Sequence, residues 1–586
     1  MGTTFTRRKL LAATAGLTAG ASSGCVSSIG NLLGGGPPNQ VSVQIKAQPA
    51  DQDTASVQIA RTLADRLQAV GINATVELLP ASQLYKEVLE QHAFDIYVGR
   101  FPALPDPDYL YALFHSQYGG DTGWQNPFGF ADVGMDQLIS RQRTQADGDR
   151  AGTIGEALGI VAREQPMSPL VRSDAIAGIG TGRFEGWEQF PARDPLWLVG
   201  LQQANGSPVE PQADRSLTVA TPDGEPTRSL NPLNRRTNGL EIATSLLYDP
   251  LGRYYDGQLQ PWLAESWFWS SDDDDELIVR LKPDLQWHDG TPLTAADVAF
   301  TYRFYSDATM GKSDTFAPVP RYQGRTDLVS SVRVANDRTV GLEIDAADPV
   351  ATTALSVPLV PRHVWRERTD VVDADRGLTS AHTSDNEDPV GSGPMVFDSW
   401  SNGRSLTLTR NEEHPLNRDT SSRLGSRFNE LALTELELLV APSDITVVEH
   451  VAQNNADITS PTLGPSSVDR VEDADGVDLL TTPSRTIYHL GFNTRRPVLR
   501  NPNFRRAVVR LLDKQAMADD IFGGYATPLS APVLGSEWTP ESLQFDGTDP
   551  QVPFLGSDDE LNETDARETF REAGFRYTDG GYLVQR

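Results

Sequence analysis

The sequence predicts an α/β fold of two or three lobes. Three observations carry this. The chain has 586 residues, more than one hydrophobic core usually serves. Residues 41–98 alternate strand and helix, which implies parallel pairing with helical crossovers. No run approaches the ~20 apolar residues that span a bilayer.

The elements follow in order. Thr6-Arg7-Arg8-Lys9-Leu10-Leu11 opens a short apolar stretch ending at Ala21-Ser22-Ser23-Gly24-Cys25. Paired arginines before an apolar run resemble a twin-arginine export signal. Gly24-Cys25 resembles a lipoprotein cleavage site with Cys25 taking the lipid, although Ser22 stands where Leu is common. A plain signal cut nearby is the alternative. Cys25 is the only cysteine, so no disulfide or thiolate metal cluster forms within the chain. Residues 26–40 are rich in Ser, Gly, Asn and Pro and read as a flexible tether spanning roughly 20 Å.

Val41–Ile45 alternates as a strand. Asp53–Val70 places Val57, Ala60, Leu63, Ala64 and Leu67 at helical spacing, and Gly71 stops it. Thr75–Leu79 is a strand, Ser82–His92 a helix and Phe94–Val98 a strand. Parallel sheets place ligands at the carboxyl ends of their strands, so the segment after Val98 is the first site candidate. Residues 101–108 turn the chain. Helices are expected over 109–115, 134–143 and 149–163, and a strand at Ser168–Val171. Residues 201–215 lack periodicity and read as a linker. Strands resume at Leu217–Ala220 and Leu277–Leu281. The acidic run Asp272–Asp275 reads as a hairpin turn; it lacks the spacing and glycine of a calcium loop.

Charge excludes one class of partner. With 50 basic and 80 acidic side chains the net charge is -30. Only six basic residues are Lys (Lys9, Lys46, Lys86, Lys282, Lys312 and Lys514). Such a surface suits strong salt, a halophile pattern, and an ordinary acidic secreted protein is the alternative. Either way it repels nucleic acid.

A specific resemblance begins at Ala264-Glu265-Ser266-Trp267 and runs through Leu277–Lys282 to Trp287-His288-Asp289-Gly290-Thr291-Pro292. It is similar to the signature of the extracellular solute-binding proteins, family 5, which serve ABC transporters for peptides, nickel complexes and other solutes. Ser229–Leu233, Pro389–Pro394, Arg410-Asn411, Leu490–Thr494 and Phe504–Ala507 extend the resemblance in the family's order. Gly71-Ile72, Phe94–Ile96 and Asp106-Pro107-Asp108 resemble the family's closing section, yet here they come first. The resemblance therefore implies a circularly permuted type II periplasmic-binding-protein-like α/β fold, with two cleft lobes plus an extra lobe. Residues 573–583 would flow into Val41.

The expected organisation is a signal at 1–25, a tether at 26–40, and part of a third lobe at 41–99. First-lobe segments follow at 100–200, 216–262 and 389–490, around a linker at 201–215. The extra lobe occupies 263–388, and 491–586 completes the third lobe. Hinges are expected near Val98–Arg100 and Gly491–Asn493. The His288-Asp289-Gly290 turn reads as structural, with Thr294 capping the next helix beside Asp297.

Enzyme signatures are weak. Gly311-Lys312-Ser313 ends like a phosphate loop, but Ser306 stands where its first Gly belongs. No nucleophile elbow and no His-Glu-x-x-His pair occurs. His363, His382 and His414 read as surface or loop residues. No cofactor or metal is expected.

The resemblance places ligand contacts on 99–107. Peptide-binding relatives often carry Asp at the position of Ala103 and Trp at that of Arg100, which puts a peptide amino anchor in doubt. Arg100 reads either as a clamp for a carboxylate or phosphate or as the partner of a domain acid. Phe101, Tyr109, Trp124, Tyr488 and Phe492 are candidate cleft walls, with core packing as the alternative. Asn234, Asn238 and Asn493 are candidate amide contacts. The resemblance implies a monomeric, lipid-anchored receptor that hands a small solute to an ABC permease on the outer face of the membrane. A signalling or chemotaxis receptor is the alternative, and an extracellular hydrolase a third.

Overall fold

The computed structural model describes residues 39–585 apart from 190–196, 205–214, 234–241, 272–274, 375–376, 420–421 and positions 256, 315 and 432. The leader, Cys25, Asn234, Asn238 and most of the acidic run lie outside the described residues.

Strands β1 (Ser42–Ala47), β2 (Asn73–Leu78) and β3 (Ile96–Pro102) surround helix α1 (Thr54–Ala69) in sequence. β1 pairs in parallel with both β2 and β3, as the alternation predicts. α1 buries Val57, Ala60, Leu63, Ala64 and Leu67, and the Asp53 side chain caps its start. Gly71 adopts φ +84°, and a Cβ there would lie 2.1 Å from the Gly581 carbonyl oxygen. Both the backbone and the space require glycine. The helix expected over 82–92 is instead one α turn, Ala81–Tyr85, followed by a π turn, Lys86–Glu90. That turn brings Glu87 onto the buried Lys46.

Helix α2 (Asp147–Glu164) leads into β4 (Met167–Gly180), and β5 (Ser216–Thr221) follows. Next come β6 (Ala264–Trp269), β7 (Glu276–Leu281), helix α3 (Ala295–Ser306), β8 (Val329–Asn336) and β9 (Thr339–Ile344). These four strands form their own antiparallel sheet, ordered β6-β7-β9-β8. Thr294 and Asp297 make a reciprocal capping box at α3. The preceding turn is held by Trp287 N–H donating to the Thr291 carbonyl at 2.8 Å, with Gly290 at φ +82°. The chain closes with β10 (Met395–Ser401), β11 (Ser405–Arg410), β12 (Glu435–Val440), β13 (Ile458–Thr459) and β14 (Val477–Phe492).

One large sheet has the order β10-β11-β12-β5-β13-β4-β14-β3-β1-β2. Its two longest strands, β4 and β14, serve two cores. Ile176, Ala177 and Val477 pack with the cores around β5 and β13. Leu170, Val171, Tyr488 and Leu490 pack with β1, α1 and β3. The register of β14 on β4 breaks between Pro483 and Ile487, between the two packing regions. Packing therefore changes from one set of cores to the other over 172–175 and 480–487, whereas the segments at 98–100 and 491–493, where hinges are expected, lie within one set. Val98 and Phe492 are fully buried inside the third-lobe core. Residues 100–172 also belong there, since Leu110, Phe114 and Leu158 pack with Tyr97 and Ile487. The four apolar-patterned residues at 168–171 gave no sign of a 14-residue strand.

Two histidines also depart from expectation. His414 is buried, its Nε2 3.0 Å from Asp249 Oδ2, while Trp262 Nε1 donates to Asp249 Oδ1 at 2.6 Å. His382 is buried too, and its Nδ1 accepts from Thr379 N–H at 3.1 Å. His363 alone remains at the surface, 2.7 Å from Asp289.

Replacing Thr294 with Ala removes the capping box. We expect a loss of about 1 kcal/mol, read as a lower thermal midpoint in calorimetry.

Candidate functional site

The site forms where β3 ends. Alternate residues of β3 face opposite sides of the sheet. On one side Phe101 meets Trp124 at 5.1 Å and Tyr109 at 5.2 Å between ring centroids, and Trp124 meets Tyr85 at 6.1 Å. Tyr97 lies on the same side, across two glycines. A Cβ at Gly99 or Gly491 would come within 2.4 or 2.1 Å of its ring. Its hydroxyl meets His489 Nε2 at 2.9 Å. Burial pushes His489 down to about 3 and the Tyr97 hydroxyl up, so the pair is neutral.

Arg100 faces the other side. Its Nε lies 3.4 Å from Asp53 Oδ2, and the Tyr488 hydroxyl donates to the same carboxylate at 3.2 Å. Burial alone would lower the guanidinium pKa; the adjoining Asp53 carboxylate and Tyr488 more than offset this and raise it. Asp53 also accepts from Ser56 N–H and Oγ–H. Arg100 is thus held by a domain acid.

The structure brings together only some of the nominated residues. Phe101, Tyr109 and Trp124 pack together in one core cluster, and the Tyr109 hydroxyl donates to the Pro532 carbonyl at 2.8 Å. Arg100 and Tyr488 lie behind it. Ala103 is buried, and its N–H donates to the Arg485 carbonyl. Phe492 is fully enclosed in the core. Asn493 spends its side chain on the His92 and Phe94 carbonyls.

The arginine partners of the expected segment were not foreseen. Asp106 receives Arg150 through both oxygens, at 2.7 and 2.5 Å, and Arg150 is wholly buried against Trp538. Asp108 receives Arg143 through both oxygens at 2.8 Å. The spacing offers a signal in hindsight: two aspartates two apart, and two arginines seven apart on either side of a helix start. Tyr254 lies within electrostatic reach of Asp106, Arg150, Arg485 and Arg325. Arg485 donates to the Leu104 carbonyl at 3.1 Å and Arg325 to Ser356 Oγ at 2.8 Å. The segment after β3 thus carries a packed aromatic cluster on one side and a set of arginines and one carboxylate beside it. Among the described residues no group of three or more His, Cys, Asp or Glu is placed to hold a metal.

Paired long strands shared between packed cores carry the aromatic and ion-paired cluster that follows β3. The chain belongs to the bacterial extracellular solute-binding proteins, family 5, whose profile matches residues 258–585, more than half of it. It is 25% identical over 358 residues to the probable deoxycholate-binding periplasmic protein YgiS of Escherichia coli, covering 56% of this chain and 61% of that one. It is 25% identical over 284 residues to the probable D,D-dipeptide-binding periplasmic protein DdpA of E. coli, covering 47% and 48%. The chain thus spans about half to three-fifths of these curated relatives. Among solved structures it is similar to the oligopeptide-binding protein AppA of Bacillus subtilis in complex with a nonapeptide, with TM-score 0.46 and 18% identity over 63% of this chain and 66% of that one. NikZ of Campylobacter jejuni, in complex with Ni(L-His), gives TM-score 0.45 and 17% identity over 64% and 66%.

Two expectations follow. Asp53→Ala should cost about 3 kcal/mol or more in denaturant unfolding, because it strips a buried charge of its partner and uncaps α1. The second concerns acid. His489 and His288, depressed to about 3 and about 4 mainly by burial, bind no proton in the fold until far below the 6.5 of an exposed histidine. Unfolded histidine protonates first, so stability is lost as pH falls below about 6.5. His489→Gln should flatten the fall of the thermal midpoint between pH 7 and pH 4.

Proposed function

We propose that this chain is the solute-receiving subunit of an ABC importer. It captures a small, peptide-like or similarly amphipathic solute between its lobes and presents it to a membrane permease. One observation carries this reading: β4 and β14 are shared between separate cores, and Tyr254 lies within electrostatic reach of Asp106, Arg485 and Arg325. Binding to both sides favours closure, and closure is the signal a permease reads. The names of the relatives support a solute with both apolar and hydrogen-bonding surface. The twin-arginine and lipoprotein-like leader supports export and anchoring through Cys25 at the outer membrane face, with the receptor acting as a monomer. The scarcity of lysine supports a saline setting.

The rotated order of segments belongs to the same proposal. Val41 N–H donates to the Leu583 carbonyl at 2.8 Å, and Gln40 pairs antiparallel with Val584. Strands β1–β4 complete a sheet whose other strands lie mostly within the family match at 258–585. A variant carrying the leader before Leu217, with residues 41–204 joined after Val584 by a short turn, should fold and bind as the parent does. Failure to fold would overturn the rotation and leave the binding reading standing.

Binding is tested by thermal melting against di- to nonapeptides and bile acids in high salt. A true ligand raises the midpoint by mass action. Trp124→Ala should weaken that ligand about tenfold or more by calorimetric titration, while Arg100→Ala changes affinity less, since Asp53 holds its charge. Equal losses would move Arg100 back into the site.

A further inference from the structure

The lobes meet at a second place, away from the shared strands. There the turn and short helix at 318–327, together with Ala347, receive residues 111–125 and Arg143. The first group belongs to the core that includes Val319, Tyr322 and Leu328. The second belongs to the third-lobe core that includes Leu113, Phe114 and Phe128. Some 200 residues separate them in sequence.

Five hydrogen bonds cross this junction. The Tyr118 hydroxyl donates to Asp327 Oδ2 at 2.7 Å, and Gln125 Nε2 donates to the Pro320 carbonyl at 2.7 Å. Gln323 Nε2 donates to Asp121 Oδ2 at 3.0 Å. Arg143 Nη2 donates to the Gly324 carbonyl at 3.2 Å, and its own carbonyl accepts from Ala347 N–H at 2.7 Å. Glycine lets the surfaces touch. A Cβ at Gly324 would sit 2.9 Å from Ala112 Cβ, and one at Gly123 would sit 2.7 Å from Pro320 Cβ.

We propose that this junction is a clasp by which the middle lobe holds the cleft shut, apart from any contact with solute. Its third-lobe half is preorganised: Asp108 grips Arg143 through both oxygens, and the guanidinium stacks 3.4 Å over the Tyr111 ring. Preorganised donors lose little freedom when they engage. The clasp is also releasable. Gln125 and Gln323 are both buried, and each leaves its carbonyl oxygen without a hydrogen bond among the described residues. Water satisfies both when the lobes part, so the closed state carries a built-in cost. The middle lobe thereby contributes to solute release as well as to folding.

The test needs no solute, so it stands whether or not the importer reading does. The full chain is dialysed until native mass spectrometry shows the bare protein mass. It is then compared with Tyr118→Phe/Gln125→Ala and with Gly324→Ala. The glycine variant keeps every donor and only adds a methyl where the lobes meet, in a helix that tolerates alanine. Small-angle scattering reads the spread of the lobes, and hydrogen exchange reads each segment. Both variants should show a larger radius of gyration. Exchange at 111–125 and 318–327 should be about tenfold faster, and exchange in β1 and β14 unchanged. Unaltered scattering and exchange in both variants would overturn the clasp. So would a loss of protection throughout both cores, because the residues would then serve folding and not closure.

Discussion

The rest of the structure depends on sharing β4 and β14 between two cores. A sheet normally packs against one continuous interior. Here the same strands bury Ile176, Ala177 and Val477 on one side of the division and Val171, Tyr488 and Leu490 on the other. Between them the register of β14 slips past Ser484 and Arg485, and the polar run Arg172-Ser173-Asp174 passes through without a core of its own. Bending there breaks few apolar contacts. Bending elsewhere would tear a packed interior, so the shared strands are where bending costs least.

The chain beside those strands is held by ion pairs. Asp106–Arg150 and Asp108–Arg143 fix the chain after β3 in two-pronged geometry. Asp53–Arg100 fixes the reverse side of β3. Each pair is largely enclosed, so its desolvation is offset only because both oxygens or several donors are engaged.

Much of this was legible in the sequence. The β1–α1–β2–β3 succession follows from residue periodicity, and its parallel pairing follows from the handedness of crossovers. Thr294, Asp297 and Gly290 were readable because capping and tight turns leave local signatures. The lobe boundary was not. Strand β4 runs through Arg172 and Asp174, whose polarity hid it, and only cross-strand pairing shows its length. Arg100 could be read as clamp or as ion-pair partner, since nothing local links it to Asp53, 47 positions away. Alternation along β3 likewise separates Phe101 from Arg100, though they are neighbours in sequence. His382 and His414 look exposed by composition, yet hydrogen bonds to Thr379 and Pro318, and to Asp249 and Leu416, draw them inward.

A receptor of this kind holds its solute without transforming it. Native mass spectrometry of the full chain in volatile salt should then show a non-covalent added mass of a small molecule that leaves intact on activation and rebinds unchanged. Recovery of the added molecule in cleaved form, with turnover on re-addition, would contradict it.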